Sequence, residues 1–239
     1  MSEQRERFAV YLIPDAASPL WQAGCRWLGR DPDRKEDSDP VPPGDNISGH
    51  LEAAEWSEIT AEPRRYGFHA TLKPPFALKD GFDLADLDEA LARFAAHHHT
   101  VAASYLQVAR LDGFLALRPQ GGDVGLADLA AECVREFDEF RRPSDPAVLA
   151  GRRRAGLTAR QETLLSAWGY PYVMEEFRFH MTLTGRLDDG TAARVSPLVQ
   201  SMFAPALSEP MAVNGIALFH EATPGAPFKI IRRYRFMTA

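Results

Sequence analysis

One pentapeptide occurs twice in this chain and holds the residues best suited to chemistry. Residues 68–72 are Phe-His-Ala-Thr-Leu, and residues 179–183 are Phe-His-Met-Thr-Leu. The two histidines, His69 and His180, belong to a chain with only 7 histidines among 239 residues. A repeat built around so rare a residue indicates a shared function for the two segments.

Both copies have the alternation of a half-buried β-strand. Alternate side chains of a strand share a face, so His69 and Thr71 should point one way and the intervening apolar residues the other. The second copy repeats this pattern with His180 and Thr182. Each strand is therefore predicted to bury an apolar face and to present an imidazole beside a hydroxyl.

Two such pairs, brought together, could perform general acid–base catalysis. Imidazole titrates near neutral pH, so one neutral histidine could act as a base while a protonated one acts as an acid. The threonine hydroxyls could donate hydrogen bonds to the non-bridging oxygens of a phosphodiester, whose charge must be stabilised during attack. This chemistry requires neither a nucleophilic side chain nor a metal. The chain has no His-Glu-x-x-His, phosphate-loop or dinucleotide-binding motif for a competing chemistry.

The doubled His-x-Thr-Leu motif resembles that of the 2H phosphoesterase superfamily, which is named for its histidine pair. Residues 64–76, 157–162 and 168–173 are similar to the branch of that superfamily found with phosphonate-degradation genes. The first strand and residues 219–236 are also similar, so the resemblance covers most of the chain. The charged loop at residues 29–48 lies outside it.

This resemblance implies an α+β fold formed by residues 1–239 as one bilobal domain, with two pseudo-symmetric antiparallel sheet and helix lobes around a central cleft. The first motif lies near residues 66–76 and the second near residues 177–186. The implied activity is metal-independent opening of a cyclic phosphodiester on a small ribose phosphate, without a cofactor, in phosphonate degradation. The implied catalytic residues are His69, Thr71, His180 and Thr182.

Four further residues are candidates for substrate contact. Lys73 and Arg178 have the strand parity of the histidines and should share their face. Tyr66 has the opposite parity and would need a bulge or a strand edge at Gly67. Tyr11 lies on the first predicted strand.

Composition narrows the class of protein. The net charge of −6 disfavours a general nucleic-acid binder. Two cysteines are too few for a disulfide framework, which indicates a reducing compartment. No signal peptide or membrane span is predicted, because the apolar run after the charged N-terminus is short. We therefore expect a cytoplasmic protein that acts on a small molecule and contacts no membrane.

Periodicity and turn signals predict the elements that must position the motifs. A helix over residues 19–28 should begin at Ser18 as the N-cap with Pro19 at its first position. Asp112-Gly113 predicts a hairpin. The predicted strands cover residues 8–13, 67–73, 104–109, 113–118, 172–185, 211–220 and 227–236, and the other predicted helices cover residues 83–99, 126–140, 143–168 and 190–203.

Three polar runs are interpreted as surface. The histidines at 97–99 would splay around a helix axis and could not face one ion, so a polar helix end is expected. The arginines at 152–154 could face a phosphate, although an exposed helix face is the simpler interpretation. Residues 29–48 are interpreted as a solvated loop.

Two other functions stay open on sequence alone. The first is an RNA enzyme acting on 2′,3′-cyclic ends, in which Arg232, Arg233 and Arg235 would hold a phosphate backbone. The second is a non-catalytic protein that binds a phosphate ligand in the same cleft. Both intact His/Thr pairs disfavour the second, because folding alone does not require four converging polar residues. A strained cyclic phosphate suits the pairs better than an unstrained diester, because opening the ring needs only positioning, proton transfer and charge stabilisation. The lack of a basic, aromatic-lined groove in the sequence disfavours a long RNA.

Overall fold

The computed structural model describes residues 5–34, 51–122, 124–154 and 156–238. Most of the predicted loop at residues 29–48 lies outside these described residues. The strands are β1 Arg7–Leu12, β2 Ala70–Phe76, β3 Val101–Ser104, β4 Leu106–Leu111, β5 Phe114–Pro119, β6 Met181–Thr182, β7 Met211–Val213, β8 Gly215–Glu221 and β9 Lys229–Arg235. The helices are α1 Pro19–Leu28, α2 Ala53–Tyr66, α3 Leu84–Ala96, α4 Val124–Glu136, α5 Pro146–Arg153, α6 Ala159–Trp168 and α7 Asp189–Phe203.

The two motif strands pair with each other at the centre of the main sheet. This antiparallel sheet has the strand order β4-β5-β6-β2-β1-β8-β9, and β3 pairs separately with β7. The β2–β6 junction divides it into one lobe of three strands and another of four, so the predicted α+β bilobal class is confirmed. The lobes do not follow the halves of the chain. The β4-β5 hairpin flanks the second motif, whereas β8 and β9 join the side of the first.

The apolar faces of both motif strands lie in one large core. Helices α3, α4 and α7 pack against the strands that build it. Burial of each large apolar side chain contributes about 1.5–3 kcal/mol to stability, which holds the motif strands against the helices. The predicted apolar face is confirmed by six motif residues that are almost completely buried: Phe68, Ala70, Leu72, Phe179, Met181 and Leu183.

The helices begin and end where side chains satisfy the free backbone groups. The Ser18 hydroxyl accepts a hydrogen bond from the Trp21 amide, so the predicted start of α1 is confirmed. At the end of α3, Nδ1 of His97 and Nδ1 of His98 bond the carbonyls of the last helical turn. The histidine run therefore forms the polar helix end that its sequence predicted.

Several element boundaries differ from the sequence expectation. The second motif strand is only Met181–Thr182, because a 3₁₀ turn at Met174–Glu176 occupies the predicted strand residues before it. Strand β2 continues through Pro74 and Pro75. These prolines are tolerated because β6 pairs with β2 only at Ala70, which leaves that edge without a partner. The predicted helix over 143–168 is two helices, and α2 was not predicted.

The helices differ from membrane spans in length and composition. Within the described residues, none of them combines the length and the apolar character that a membrane crossing requires.

Candidate active site

The two His/Thr pairs lie on one cleft. His69, Thr71, His180 and Thr182 all line it, and its volume is about 400 Å³. The cleft lies over the β2–β6 junction, on the sheet face opposite the buried residues of the motifs. The four residues predicted to be catalytic are therefore brought together by the two strands that the pentapeptides form.

Strand register explains how the pairs meet. The middle residues of the two pentapeptides are antiparallel partners. When this register is extended by one residue on each side, His69 lies opposite Thr182 and His180 lies opposite Thr71. Opposed residues of an antiparallel pair have their Cβ atoms about 4.5–5.5 Å apart on the same face. Each histidine thus lies opposite the threonine of the other motif, in a pseudo-twofold arrangement.

Both imidazoles are fixed in the same way. Nδ1 of His69 lies 2.8 Å from the Gly67 carbonyl oxygen, and Nδ1 of His180 lies 2.7 Å from the Arg178 carbonyl oxygen. A backbone carbonyl only accepts hydrogen bonds, so Nδ1 of each ring carries the proton. In the neutral rings, Nε2 then carries no proton and can accept one, which is the state that a general base requires.

The first histidine is packed more closely than its position in a cleft would suggest. Tyr11 stacks on the His69 ring with centroids 3.8 Å apart, and the Tyr66 ring centroid lies 6.1 Å away. The Thr71 hydroxyl lies 3.1 Å from His69 Nε2 and donates to it when the ring is neutral. The second histidine packs against Phe114, at 5.7 Å between ring centroids.

The surroundings keep both histidines neutral in the free protein. Burial, with a smaller contribution from the neighbouring His180, lowers the pKa of His69 to about 4 despite the opposing hydrogen bond to Gly67. Burial also lowers the pKa of His180, with a further contribution from the positive charge of Arg118. Each ring therefore offers an unprotonated Nε2 near neutral pH.

Two of the four predicted substrate contacts line the cleft. Tyr11 does so from β1, where its side chain is completely buried under His69. Tyr66 reaches the cleft as the last residue of α2, and Gly67 follows it in a left-handed conformation with φ of 82°. Strand parity did not apply to Tyr66, because the residue is helical.

The expectation that Lys73 shares the motif face is corrected by the structure. Tyr11 pairs with Thr71 but Val10 pairs with Lys73, so Leu72 is an extra residue in a β-bulge. The bulge turns Lys73 to the core side, where its Nζ donates to Asp138 and to the Val134 carbonyl. Burial lowers the pKa of Lys73 to about 8 despite the Asp138 carboxylate.

Arg178, by contrast with the prediction, is not among the described residues that line the cleft. It is exposed and lies 3.8 Å from the Asp112 carboxylate, while its backbone carbonyl orients His180. The arginines near the C-terminus are likewise engaged elsewhere. Each of them pairs with an aspartate: Arg232 with Asp88, Arg233 with Asp33 and Arg235 with Asp15.

Sequence reasoning missed other polar groups of the cleft. Arg7 from β1, Arg152 from α5 and Tyr170 all line it. The arginine run had been interpreted as an exposed helix face, which fits Arg153 and its ion pair with Glu162 but not Arg152. No signal in the run itself distinguishes the two residues.

Solved structures with similar chains include E. coli LigT in complex with 3′-AMP and a phosphoesterase. The LigT structure is 13% identical, covers 98% of this chain and 99% of its own, and has a TM-score of 0.43. The phosphoesterase is 15% identical with the same coverage and a TM-score of 0.40. Because both TM-scores are below 0.5, the description of the fold and of the site depends on this chain's own residues.

Two curated relatives match nearly the whole chain. Both are named ribose 1,5-bisphosphate phosphokinase PhnN. The one from Janthinobacterium sp. (strain Marseille) is 41% identical over 98% of this chain and 52% of its own length. The one from Laribacter hongkongensis (strain HLHK9) is 38% identical over 95% of this chain and 51% of its own. The chain thus spans about half the length of these relatives.

A family model matches residues 71–229, from Thr71 to the start of β9. The match includes the whole second motif and two thirds of the chain. The chain belongs to the family described as protein of unknown function, DUF1045.

Proposed function

We propose that this protein is a metal-independent phosphodiesterase that opens a cyclic phosphodiester on a small ribose phosphate. The observation that carries the proposal is the convergence of His69/Thr71 and His180/Thr182 on one cleft. Each imidazole presents Nε2, and each has a threonine hydroxyl opposite it. These four groups match the needs of in-line hydrolysis at phosphorus, which are two proton transfers and stabilisation of the non-bridging oxygens.

The burial of His69 supports one assignment of roles, because it keeps that ring neutral. Neutral His69 acts as the general base: Nε2 takes a proton from water as the water oxygen bonds to phosphorus. The bond from phosphorus to one ring oxygen breaks, and protonated His180 gives its proton to that oxygen. Thr71 and Thr182 donate hydrogen bonds to the non-bridging oxygens. His180 gains its proton when the anionic substrate binds, because a nearby negative charge raises its pKa.

The names of the relatives support a ribose substrate and favour O2 as the leaving oxygen. Those proteins are named for phosphorylating ribose 1,5-bisphosphate. Hydrolysis of ribose 5-phosphate 1,2-cyclic phosphate with cleavage at O2 leaves phosphate on O1 and yields ribose 1,5-bisphosphate. Opening of this ring would therefore supply the substrate of such a kinase, and the reaction would serve phosphonate degradation as the resemblance implies.

The kinase activity itself is assigned to the other part of those relatives. About half of their length lies outside the match with this chain. This chain has no phosphate-loop motif to hold the phosphates of a nucleotide. A hydrolytic half followed or preceded by a kinase half would account for both the length and the name.

Hydrolysis of the cyclic sugar phosphate, followed by phosphorus NMR, tests the proposal. The wild-type protein should convert the 1,2-cyclic phosphate to ribose 1,5-bisphosphate, and His69→Ala should abolish most of the rate. His97→Gln, at the exposed end of α3, is the matched control and should retain it. Lack of conversion, or equal rates in all three proteins, would refute the proposal.

Oligonucleotides with 2′,3′-cyclic ends test the RNA alternative in the same assay. The pairing of Arg232, Arg233 and Arg235 with aspartates leaves that surface without the free positive charge that a phosphate backbone needs. We expect a higher kcat/KM on the sugar phosphate. Faster turnover of the RNA ends would show that the protein is an RNA 2′,3′-cyclic phosphodiesterase rather than an enzyme of the cyclic sugar phosphate.

A further inference from the structure

Arg152 is a partly buried cation that forms no ion pair with a carboxylate of the described residues. It reaches the cleft from α5, and its guanidinium lies 5.0 Å from the centroid of the Tyr170 ring. Burial lowers the pKa of Arg152, and the groups that oppose this effect are the phenols of Tyr170 and Tyr66 rather than a carboxylate. Neighbouring Arg153, in contrast, is exposed and pairs with Glu162. A desolvated guanidinium without a counter-ion is costly to the fold, which indicates that a ligand supplies the missing negative charge.

A second guanidinium faces the same part of the cleft. Arg7 lines it while bonding the completely buried carboxylate of Glu221. Arg65 bonds the same carboxylate. One carboxylate therefore serves two arginines, and Arg152 adds a third positive charge nearby. Glu62 is the only acidic side chain among the described residues that line the cleft, and it is exposed.

Phenolic hydroxyls complete the cluster. Tyr66 and Tyr170 both line the cleft beside these arginines. The Tyr66 hydroxyl accepts a hydrogen bond from Arg65 at 3.2 Å, so its own proton is free for a ligand. The Tyr66 ring centroid is 6.1 Å from that of His69. The cluster therefore begins about one sugar ring away from the His69 imidazole.

We propose that Arg7, Arg152, Tyr66 and Tyr170 form a second anion subsite that binds a phosphate monoester of the same substrate. This inference rests on the proposed function, in which the cyclic phosphate lies between His69 and His180. Two guanidiniums and two hydroxyls suit a dianionic terminal phosphate, which accepts several charged hydrogen bonds at once. The subsite would select a cyclic ribose phosphate that carries a 5-phosphate over one that lacks it.

Kinetics with two substrates test the subsite. The substrates are the 1,2-cyclic phosphates of ribose with and without the 5-phosphate. Arg152→Gln should lower kcat/KM about 10–100-fold for the substrate with the 5-phosphate, because that factor corresponds to one hydrogen bond between charged groups. The same variant should leave kcat/KM for the substrate without the 5-phosphate nearly unchanged. Tyr66→Phe, which removes a single hydroxyl, should act in the same direction. Arg153→Gln, one residue along the same helix, should leave both substrates unaffected. Equal losses on both substrates in Arg152→Gln, or no loss on either, would overturn the subsite.

A binding measurement separates failure of the subsite from failure of the proposed function. Ribose 5-phosphate has no cyclic phosphate, so its binding, measured by calorimetry, does not depend on catalysis. The wild-type protein and Arg153→Gln should bind it alike, and Arg152→Gln should bind it about 10–100-fold more weakly. If the wild-type protein hydrolyses neither cyclic substrate but shows this difference, the subsite stands and the reaction is wrong. Equal binding by all three proteins would exclude the subsite.

Discussion

The lowered pKa of His69 should make the protein less stable in acid. The contribution of this residue to the free energy of unfolding can be measured separately with a variant that lacks it. The ring is neutral in the folded protein because burial lowers its pKa to about 4 from an ordinary 6.5. The unfolded chain therefore binds the proton more tightly than the folded one. This linkage leaves stability unaffected above pH 6.5 and reduces it as the pH falls from 6.5 to about 4.

The magnitude follows from the two pKa values. At pH 5, they correspond to a loss of about 2 kcal/mol in the free energy of unfolding. Nε2 of His69 faces the cleft and its water, so solvent screening reduces the loss to about 1 kcal/mol. Glutamine has a neutral side chain of similar length. The His69→Gln variant therefore lacks the titration of this one residue but retains the other titrating groups.

Urea unfolding of both proteins at pH 7 and pH 5, followed by tryptophan fluorescence, measures the difference. The wild-type protein should lose about 1 kcal/mol more than His69→Gln over that interval. An NMR titration of the His69 ring, assigned with the same variant, should give a pKa well below 6.5. Identical pH dependence of the two proteins, or a His69 pKa at or above 6.5, would refute the assignment of a neutral, buried base.

Three further outcomes follow from the same structure. Thr71→Val and Thr182→Val should each lower kcat/KM about 10-fold, less than loss of a histidine, because each removes one hydrogen bond to a charged oxygen; unchanged kinetics would exclude both hydroxyls from the reaction. Activity should survive exhaustive chelation, and a loss with EDTA that a divalent ion restores would contradict the metal-free mechanism. Trp27→Phe should reduce the free energy of unfolding by about 2–3 kcal/mol, measured in urea, because the buried Trp27 Nε1 donates to the Leu183 carbonyl at 2.7 Å; an unchanged midpoint would show that this bond contributes little.

The buried and exposed sides of each motif strand could be predicted from the sequence, because they depend on residues that are close together in the chain. Alternation of polar and apolar residues predicts which side of a strand is buried, and the six apolar motif residues are buried as expected. Pairing of the two strands is a contact across more than a hundred residues. Periodicity carries no information on it, so the cleft followed from the resemblance rather than from the pattern.

The missed residues depend on such distant contacts. Lys73 turns to the core because of a bulge against β1, which the sequence of β2 does not encode alone. Arg152 lies on α5, a helix without a buried residue among those described, so its apolar pattern is too weak to indicate its orientation. Tyr66 ends a helix that contains Pro63, a residue that ordinarily disfavours a helix interior.

Rates on the cyclic ribose phosphate for the wild-type protein, His69→Ala, His180→Ala and the double variant test the central claim most directly. If the two histidines act as one acid–base pair, each single substitution should lower kcat/KM by about 10²–10⁴-fold. The double variant should be little slower than the less active single variant, because the effects of substituting groups that act as a unit are not additive. A rate close to that of the wild-type protein in either single variant, or losses that multiply in the double variant, would contradict catalysis by the pair.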